Sequence, residues 1–386
     1  MPPTDRPLLT IHNVGALSFG SGALLRCAAD VRERGAKSVF LVTTQPTLGL
    51  CKPLIEALRA QGCAVTVWHD MRGEPTIPEF AVALLAARRA RADAVIGLGG
   101  GSAMDVAKLV AALFDGRQTI EAVIGVDKLA GRALWVACIP TTAGTGSEVT
   151  PIAILGDETQ DLKKGVVSRH LVPDAAYLDP QLCVTMPPAV TAATGLDALT
   201  HCVEAYANRF AHPLADVYAL AGIALIAKYL ERAVTDGADL TARSALLRAS
   251  LYGGLCLGPV NTAAVHALAY PLGGEFHIAH GLANALLLPH VLRFNLEAAP
   301  ERYADIAHAL GTVPSGEALA DAGDGIARIE TLIRRCGVQV GLRNFGIVLD
   351  DIPRMAGAAI TVTRLLERNP RVLTEQDALA IYHAAW

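Results

Sequence analysis

An aspartate and three histidines lie in apolar parts of the sequence and have the side chains of a divalent metal site. Asp197 and His201 are four residues apart in a helical pattern, so both point to one side of a helix and can share one ligand. His266 and His280 follow after 65 and 14 residues. One buried histidine is more often a hydrogen-bonded core residue, but each unpaired buried polar group costs about 1–3 kcal/mol, so four together favour a shared ligand. Three imidazoles and one carboxylate suit Fe²⁺ or Zn²⁺ and leave room for a substrate oxygen.

A further imidazole, His277, lies three residues before His280. It is a candidate for proton transfer or substrate contact, and a histidine on a helix surface is an equally good interpretation. His212, His290 and His308 lie in patterns typical of helix ends or faces and are interpreted as structural.

Two loops have the composition of a dinucleotide site. The first is Gly99-Gly-Gly-Ser102, between a predicted strand and a predicted helix over 103–114, where backbone N–H groups and the helix N-terminus favour a pyrophosphate. Ser102 and Asp105 also match a Ser-x-x-Asp helix cap, which is a purely structural interpretation. The second loop, Pro140–Glu148, offers four hydroxyls and two glycines to ribose and phosphate after another strand. Phe19–Gly22 is a weaker candidate for a third contact.

The elements that must position these residues change type along the chain. Strands are predicted over 37–44, 64–69, 93–99 and 133–139, and helices over 22–35, 47–62, 77–92 and 102–116. This alternation predicts a parallel sheet with helices on both faces and ligands at the carboxyl ends of its strands. From about Pro187 only helical patterns follow, for example 213–233 and 243–257, and Thr374 with Asp377 predicts the capping box of a last helix. We therefore predict an α/β domain over 1–183 and an all-helical domain over 184–386.

Composition excludes several classes of protein. The 386 residues carry a net charge of −4, which argues against nucleic-acid binding, and 52% are hydrophobic, which argues against disorder. No charged residue occurs between Arg248 and Glu275, but prolines, glycines and polar residues in this stretch favour protein interior over a membrane span. The N-terminus lacks the pattern of a secretory signal, and eight irregularly spaced cysteines fit reduced, buried thiols, so we expect a cytoplasmic protein.

Four ordered motifs together resemble the iron-containing (group III) alcohol dehydrogenases over essentially the whole chain. They are GGGSAMDVAK (99–108), PTTAGTGSE (140–148), GLDALTH (195–201) and HALAYPLGG (266–274) continued by HGLAN (280–284). The resemblance implies an N-terminal Rossmann-like domain, a C-terminal helical domain, and a cofactor and Fe²⁺ that face each other across a cleft. Asp197, His201, His266 and His280 match the family's metal positions.

The resemblance also implies candidate residues for cofactor binding and for proton transfer. The predicted cofactor-binding residues are Thr44, Gly99, Gly100, Gly101, Ser102, Asp105, Thr141, Thr142, Thr145, Ser147 and Leu178. The second strand ends in Thr43-Thr44-Gln45, without the acid that many NAD-preferring members have at Thr44, so NAD and NADP both stay open. The family's usual histidine four residues after the third ligand is Tyr270 here, so Tyr270 or His277 is the predicted proton relay.

The leading hypothesis is a metal-dependent, NAD(P)-linked dehydrogenase of small primary alcohols, or reductase of the aldehydes, working as a homodimer or larger homo-oligomer. A maleylacetate-reductase-like or semialdehyde-acid reductase of the same fold is the alternative, with Lys163 and Lys164 as candidates for a substrate carboxylate, although a solvated charge pair is the commoner meaning of two such lysines. A dehydroquinate-synthase-like lyase, which recycles its NAD, is the alternative of another class.

Overall fold

The structure is a computed structural model that describes residues 8–157 and 162–386. The chain divides into two compact units, one over His12–Thr185 and one formed by residues 8–11 together with Met186–Trp386. The sequence places its boundary between residues 183 and 184, and the structural division falls between Thr185 and Met186.

The first unit is built on a six-stranded sheet. Its strands and helices are β1 (Ala16–Phe19), α1 (Ala23–Glu33), β2 (Ser38–Val42), α2 (Lys52–Ala60), β3 (Ala64–Trp68), α3 (Ile77–Arg89), β4 (Ala94–Gly99), α4 (Gly101–Leu113), α5 (Ile120–Val123), β5 (Gly125–Val126), β6 (Trp135–Pro140), β7 (Ile152–Asp157), β8 (Leu162–Val167) and β9 (Ala175–Leu178). The sheet has the order β1-β9-β6-β4-β2-β3, and every pairing in it is parallel. The predicted parallel sheet is confirmed.

Alternation of apolar side chains along the central strands explains why the sheet is covered on both faces. In β2, Phe40 and Val42 join a core with α3 and α4, whereas Val39 and Leu41 join a second core with α1 and α2. Strands buried on both faces lack polar side chains over most of their length, as β2 does from Val39 to Val42 and β4 does throughout. Because all strands of this sheet run in parallel, the ends of β4 and β6 lie at the same edge.

Some elements differ from the prediction. The predicted helix over 47–62 is a 3₁₀ helix, Gln45–Cys51, followed by α2. Pro53 explains the break, because a proline lacks the N–H for a helical bond and its ring clashes with the carbonyl four residues earlier. The sequence pattern did not predict β1, β9 or a second sheet of order β5-β8-β7, in which β7 and β8 are antiparallel. These strands are short or interrupted by glycine and lysine, so their pattern is weak.

Within the part that the structure describes, the second unit contains only helical regular elements. They are α6 (Pro188–Tyr206), α7 (Pro213–Thr235), α8 (Leu240–Leu257), α9 (Ala264–Phe276), α10 (His280–Asn295), α11 (Pro300–Ala309), α12 (Ala318–Arg335), α13 (Ile352–Ile360), α14 (Thr363–Leu366) and α15 (Glu375–Ala385), with short 3₁₀ turns. Thr374 and Asp377 form the predicted capping box of α15, with bonds of 2.9 and 3.2 Å.

The helices of the second unit pack around α6, which is buried without interruption from Gly195 to Tyr206. The uncharged stretch between Arg248 and Glu275 forms the end of α8 and most of α9, and most of it is buried, as predicted. One helix, α7, is long and apolar enough to cross a membrane by length and composition alone. Its buried residues form a stripe, including Ala219, Ile223, Ile226 and Leu230, as in a helix that packs one face in a bundle.

Candidate metal centre and cofactor loops

Three helices of the second unit bring the four predicted metal ligands together. Asp197 and His201 lie one turn apart on α6, His266 is in the first turn of α9, and His280 is the first residue of α10. One ligand atom from each lies within 4.8 Å of all the others. The Asp197 Oδ1 atom is 3.8, 3.7 and 3.6 Å from the Nε2 atoms of His201, His266 and His280.

This donor set fits a divalent cation. Ligand bonds of about 2.0–2.2 Å in a tetrahedral site place the ligand atoms about 3.4 Å apart, close to the 3.6–3.8 Å between Asp197 Oδ1 and the three imidazole nitrogens. The side chains of Asp197, His201 and His266 are 3–5% exposed, whereas that of His280 is 30% exposed. Three ligands are therefore desolvated, and the fourth lies nearer to solvent, which leaves the centre accessible to a small molecule.

Local packing explains how α10 comes close enough to α6. A Cβ atom at Gly281 would lie 2.2 Å from the carbonyl oxygen of Ala193 on α6 and 3.1 Å from Cβ of Asp197. No real Cβ atom tolerates a backbone oxygen at that distance, so only glycine permits this approach. Gly281 thereby allows His280 to reach the group.

Asn284, one turn after His280, occupies the middle of the group with its side-chain amide. Its Nδ2 atom lies 2.8 Å from Asp197 Oδ1, 3.1 Å from His266 Nε2 and 3.3 Å from His280 Nε2. Among the residues that the structure describes, its Oδ1 atom has no hydrogen-bond partner although it is buried. One carboxylate oxygen and two imidazole nitrogens thus converge on the amide nitrogen of Asn284, and a cation could bind all three of these atoms.

The electrostatics of the group favour positive charge. Burial lowers the pKa of His266, but the carboxylates of Glu204 and Asp197 outweigh burial and raise that pKa to about 9. Burial raises the pKa of Asp197, but the three histidines outweigh it and hold that pKa far below its usual range. The buried carboxylates therefore stabilise a cation at this point of the helical unit.

The two candidate cofactor loops are neighbours in the first unit. Gly99 pairs with Pro140 in the register of β4 and β6, and the N–H of Thr141 donates to the carbonyl of Gly99 at 2.9 Å. A Cβ atom at Gly101 would lie 2.8 Å from Cγ2 of Thr145, so glycine is needed for the loops to approach. The predicted neighbourhood of these loops is thus present at one sheet edge, beside the N-terminus of α4.

A buried ionic network lies beneath these loops. Ser147 Oγ donates to Asp105 Oδ1 at 2.5 Å, and the N–H of Ile154 donates to Asp105 Oδ2 at 2.9 Å. Lys108, whose side chain is fully buried, donates to Ser147 Oγ at 2.7 Å and lies 3.1 Å from Asp105 Oδ1. Its Nζ atom also contacts the carbonyl of Ile152. The network ties α4 to the second loop.

The comparisons with known proteins cover both units. Residues 15–180 match a family model described as iron-containing alcohol dehydrogenase, and residues 191–386 match the C-terminal part of the Fe-containing alcohol dehydrogenase family. The chain belongs to the iron-containing alcohol dehydrogenase family. The resemblance drawn from the four motifs is thereby confirmed.

Relatives and solved structures extend over almost the full chain of this iron-containing alcohol dehydrogenase. Long-chain-alcohol dehydrogenase 1 of Geobacillus thermodenitrificans is 42% identical over 374 residues, which are 95% of this chain and 94% of the relative. A 1,3-propanediol oxidoreductase structure has a TM-score of 0.95 at 34% identity, covering 98% of this chain and 100% of its own. A sulfoacetaldehyde reductase from Bifidobacterium kashiwanohense, solved in complex with NAD⁺, has a TM-score of 0.90 at 28% identity, covering 98% and 99%.

The predicted catalytic residues differ in exposure in this alcohol dehydrogenase. Tyr270 lies one turn after His266 on α9 and is half-buried. His277 ends α9 in a left-handed backbone conformation, φ 54°, with an exposed side chain. Tyr270 therefore shares a helix face with a metal ligand, and His277 lies at the following turn. The assignment of the proton relay stays a prediction.

The cofactor-binding predictions divide by what their side chains contact. Asp105 does not cap α4, as the Ser-x-x-Asp pattern predicts, because Gly100 holds the N-cap position and Asp105 turns to Ser147 and Lys108. Thr44 begins the 3₁₀ helix after β2, with Oγ1 2.8 Å from Thr47 Oγ1. The backbone carbonyl of Leu178, the buried last residue of β9, accepts from the N–H of Gly20.

The other loop residues predicted to bind the cofactor lie at the same edge. Thr141 is buried, and within the described chain its hydroxyl has no hydrogen-bond partner. Thr142 and Ser102 are half-buried, and Thr142 lies beside Gly100. The Thr145 hydroxyl accepts from the N–H of Ser147 at 3.2 Å. The structure groups these residues, and their role in binding stays a prediction.

The two lysines proposed for a substrate carboxylate have acidic neighbours. Lys163 Nζ lies 2.7 Å from the Glu74 carboxylate, and Lys164 Nζ lies 3.9 Å from Asp157. The reductase alternative therefore gains no support from this pair. Glu204 and Asn284, which the sequence pattern did not single out, contact two of the candidate ligands, His266 and Asp197. The spacing of 197, 201 and 204 on one helix face is the signal that finds Glu204.

Proposed function

We propose that this iron-containing alcohol dehydrogenase interconverts small primary alcohols and their aldehydes with NAD or NADP and a divalent metal, Fe²⁺ or alternatively Zn²⁺. The observation that carries the proposal is the convergence of three imidazole Nε2 atoms within 3.8 Å of the Asp197 carboxylate. A relative that is 42% identical acts, by its name, on long-chain alcohols, which supports an alcohol substrate.

Asp197, His201, His266 and His280 are the residues that would hold the metal. When bound, such a cation supplies Lewis-acid stabilisation to an alcohol or aldehyde oxygen, and a nicotinamide cofactor supplies the hydride acceptor or donor. The chain's own part is to orient the four ligands in a largely desolvated group. Because His280 is the most exposed of the four ligands, a substrate oxygen would approach the metal from the side of His280.

The loops after β4 and β6 are the proposed cofactor site. Backbone N–H groups of Gly100, Gly101 and Ser102 at the N-terminus of α4 would bind the pyrophosphate, because the first turn of a helix leaves its N–H groups without helical partners. The hydroxyls of Thr141 and Thr142 offer contacts to ribose or phosphate. NAD⁺ in the similar sulfoacetaldehyde reductase supports a nicotinamide cofactor, and Thr44 in place of an acid leaves NADP as the alternative.

Tyr270 and His277 are the proposed carriers of the proton released from the alcohol hydroxyl. Tyr270 lies on the same face of α9 as His266, and His277 is exposed at the end of that helix, so it can exchange protons with solvent. We further infer a cytoplasmic homodimer or larger homo-oligomer that binds neither nucleic acid nor membrane. The acidic net charge and the family's small-molecule chemistry support this setting.

The test is turnover of metal-stripped protein reloaded anaerobically with Fe²⁺ or Zn²⁺. Absorbance of NADH and NADPH is followed with a panel of primary alcohols and aldehydes of increasing chain length. We expect turnover only after reloading, with one cofactor preferred. Turnover without metal, or only with keto and enol acids, would contradict the proposal and favour the reductase alternative.

A further inference from the structure

A buried glutamate outside the four-residue group contacts one of its histidines. Glu204 lies on α6, seven residues after Asp197 and three after His201, and therefore on the same helix face. Its side chain is only 4% exposed. A carboxylate at this depth is costly unless both of its oxygens are compensated.

Both oxygens of Glu204 are used by the first turn of α9. Oε2 lies 2.5 Å from Nδ1 of His266, and Oε1 accepts from the N–H of Val265 at 2.6 Å. Glu204 therefore holds both the ring of His266 and the backbone that carries it. The His266 ring is further fixed by stacking on His201, with ring centroids 4.9 Å apart and planes inclined by 18°.

The contacts of His266 determine which ring nitrogen is available to a metal. An ionised carboxylate only accepts hydrogen bonds, so the proton between Glu204 and His266 belongs to Nδ1. The other ring nitrogen, Nε2, lies 3.1 Å from the amide nitrogen of Asn284 and 3.7 Å from Asp197 Oδ1. Nε2 thus points into the group of ligands, where its lone pair can bind a cation.

We propose that Glu204 is a positioning residue of the metal centre, which fixes the tautomer and ring orientation of His266 so that Nε2 binds the metal. The proposal rests on the metal dependence proposed above and assigns a role to a residue outside the four ligands. Glu204 and Asp197 together also supply two negative charges to the region, matching the charge of a divalent cation. A carboxylate behind a metal-binding histidine makes the ligand more basic and is typically worth 10–100-fold in metal affinity.

Glutamine at position 204 makes a sharp test because it keeps the shape and loses the acceptor on one side. Its single carbonyl oxygen can accept from His266 or from Val265, and its NH₂ group must face the other donor. If that NH₂ faces His266, Nδ1 has to become the acceptor, and the ring proton then moves to Nε2 and blocks the metal. Glu204→Asp, in contrast, keeps an acceptor-only group.

The experiment compares Zn²⁺ affinity of the full-length wild type, Glu204→Gln and Glu204→Asp by competition with a chromogenic chelator. We expect Glu204→Gln to bind Zn²⁺ about 10–100-fold more weakly and Glu204→Asp to retain more of the affinity. Asp321→Asn is the matched control, because Asp321 is also a buried carboxylate bound to a histidine of this unit, His308, at 2.9 Å. Its Zn²⁺ affinity should match that of the wild type.

The outcomes separate the two proposals. If the wild type binds no Zn²⁺, or if His266→Ala binds Zn²⁺ as well as the wild type does, the proposed function fails. If the wild type binds Zn²⁺ and Glu204→Gln binds it equally well, or if the Gln and Asp variants lose affinity equally, only the role of Glu204 is overturned. NADH binding, followed by fluorescence, should be unchanged in all folded variants.

A measurement on the wild type covers the case in which Glu204→Gln does not fold. ¹⁵N NMR of histidine-labelled, Zn²⁺-loaded protein reports the protonation of each ring nitrogen, and His266→Ala identifies the signals of residue 266. We expect a protonated Nδ1 and a metal-shifted Nε2. A metal-shifted Nδ1 would overturn the proposal.

Discussion

The metal centre and the cofactor loops are built from different parts of the chain. Four side chains from three helices form the candidate metal centre, and the buried side chains of Glu204 and Asn284 contact them. The cofactor loops instead depend on backbone approach, which Gly101 permits, and on the ionic network of Asp105, Lys108 and Ser147 beneath them. Damage to the first region should therefore appear as lost metal, whereas damage to the second should appear as lost stability and cofactor affinity.

The largest effect is expected where a ligand is removed from the metal centre. His266→Ala or Asp197→Ala should lower turnover by about 1,000-fold or more, because the Lewis-acid contribution of a catalytic metal is several kcal/mol and each 1.4 kcal/mol is tenfold. Metal content by mass spectrometry should fall with it, while NADH binding persists. His308→Ala, a histidine bound to Asp321 in the same unit, is the control and should keep both metal and turnover. Wild-type turnover in His266→Ala would show that His266 does not hold a metal needed for the reaction.

In the cofactor region, loss of the buried lysine should have the largest effect on stability. Lys108→Met removes the buried cation from the Asp105 carboxylate, whose side chain is 13% exposed, and breaking a largely buried pair costs about 3–5 kcal/mol. Urea unfolding followed by circular dichroism measures this loss, and NADH affinity should decrease because Ser147 loses its anchor. Metal affinity of the folded variant should stay at the wild-type value.

Lys163→Met is the control for Lys108→Met. Lys163, whose side chain is 12% exposed, pairs with Glu74, whose side chain is 51% exposed, and an ion pair with one partner open to solvent contributes about 1 kcal/mol or less. If Lys108→Met were no more destabilising than Lys163→Met, the network would not be what holds the second loop.

These two regions also differ in how far the sequence predicts them. The four candidate ligands could be predicted because an aspartate and three histidines together in apolar segments favour a shared ligand, and the 197/201 spacing already places two of them on one helix face. The roles of Glu204 and Asn284 could not be predicted, because a lone glutamate or asparagine in a helix has many ordinary roles. Their partners are reached only through the tertiary packing of α9 and α10. The burial of Lys108 was likewise not visible.

Predictions from local sequence patterns were wrong where a side chain contacts a residue far away in the sequence. Ser102 and Asp105 match a helix cap, yet Asp105 turns to Ser147, 42 residues later. The parallel sheet was predicted because predicted strands and helices alternate along the first half of the chain, whereas β1 and β9 consist of four residues each and give little signal. Periodicity therefore predicts elements, and contacts between distant segments decide which polar residue faces which.

Glu148, in the second cofactor loop, should give this region a pH dependence. It is buried, and within the described chain neither carboxylate oxygen has a hydrogen-bond partner. Burial raises its pKa from 4.5 to about 7, against the opposing effects of the residue's own backbone N–H and of the Lys108 charge. An acid with a raised folded-state pKa contributes stability that is fully present below pH 4.5 and is lost as the pH rises through 7.

Glu148→Gln mimics the protonated acid and should remove this loss. The variant should equal the wild type near pH 4.5 and exceed it by up to about 3 kcal/mol at pH 8, measured by urea unfolding. Glu121→Gln, at an exposed glutamate of the same unit, is the control and should leave the pH dependence unchanged. A difference between Glu148→Gln and the wild type that stays constant from pH 4.5 to 8 would show that the Glu148 carboxylate does not titrate in this range.

The smallest effect is expected for a substitution that separates two helices of the candidate metal centre. It tests whether the close packing of α10 on α6 sets the position of His280. Gly281→Ala places a Cβ atom 2.2 Å from the carbonyl oxygen of Ala193, so α10 must shift away from α6, at a cost of about 1–3 kcal/mol. His280 begins α10, and its displacement should weaken Zn²⁺ binding. Gly323→Ala, in α12 with open space around the added Cβ, is the control and should be neutral or stabilising by about 1 kcal/mol or less. If Gly281→Ala kept the Zn²⁺ affinity of the wild type, as the control should, the close approach of α10 to α6 would not be what sets the position of His280.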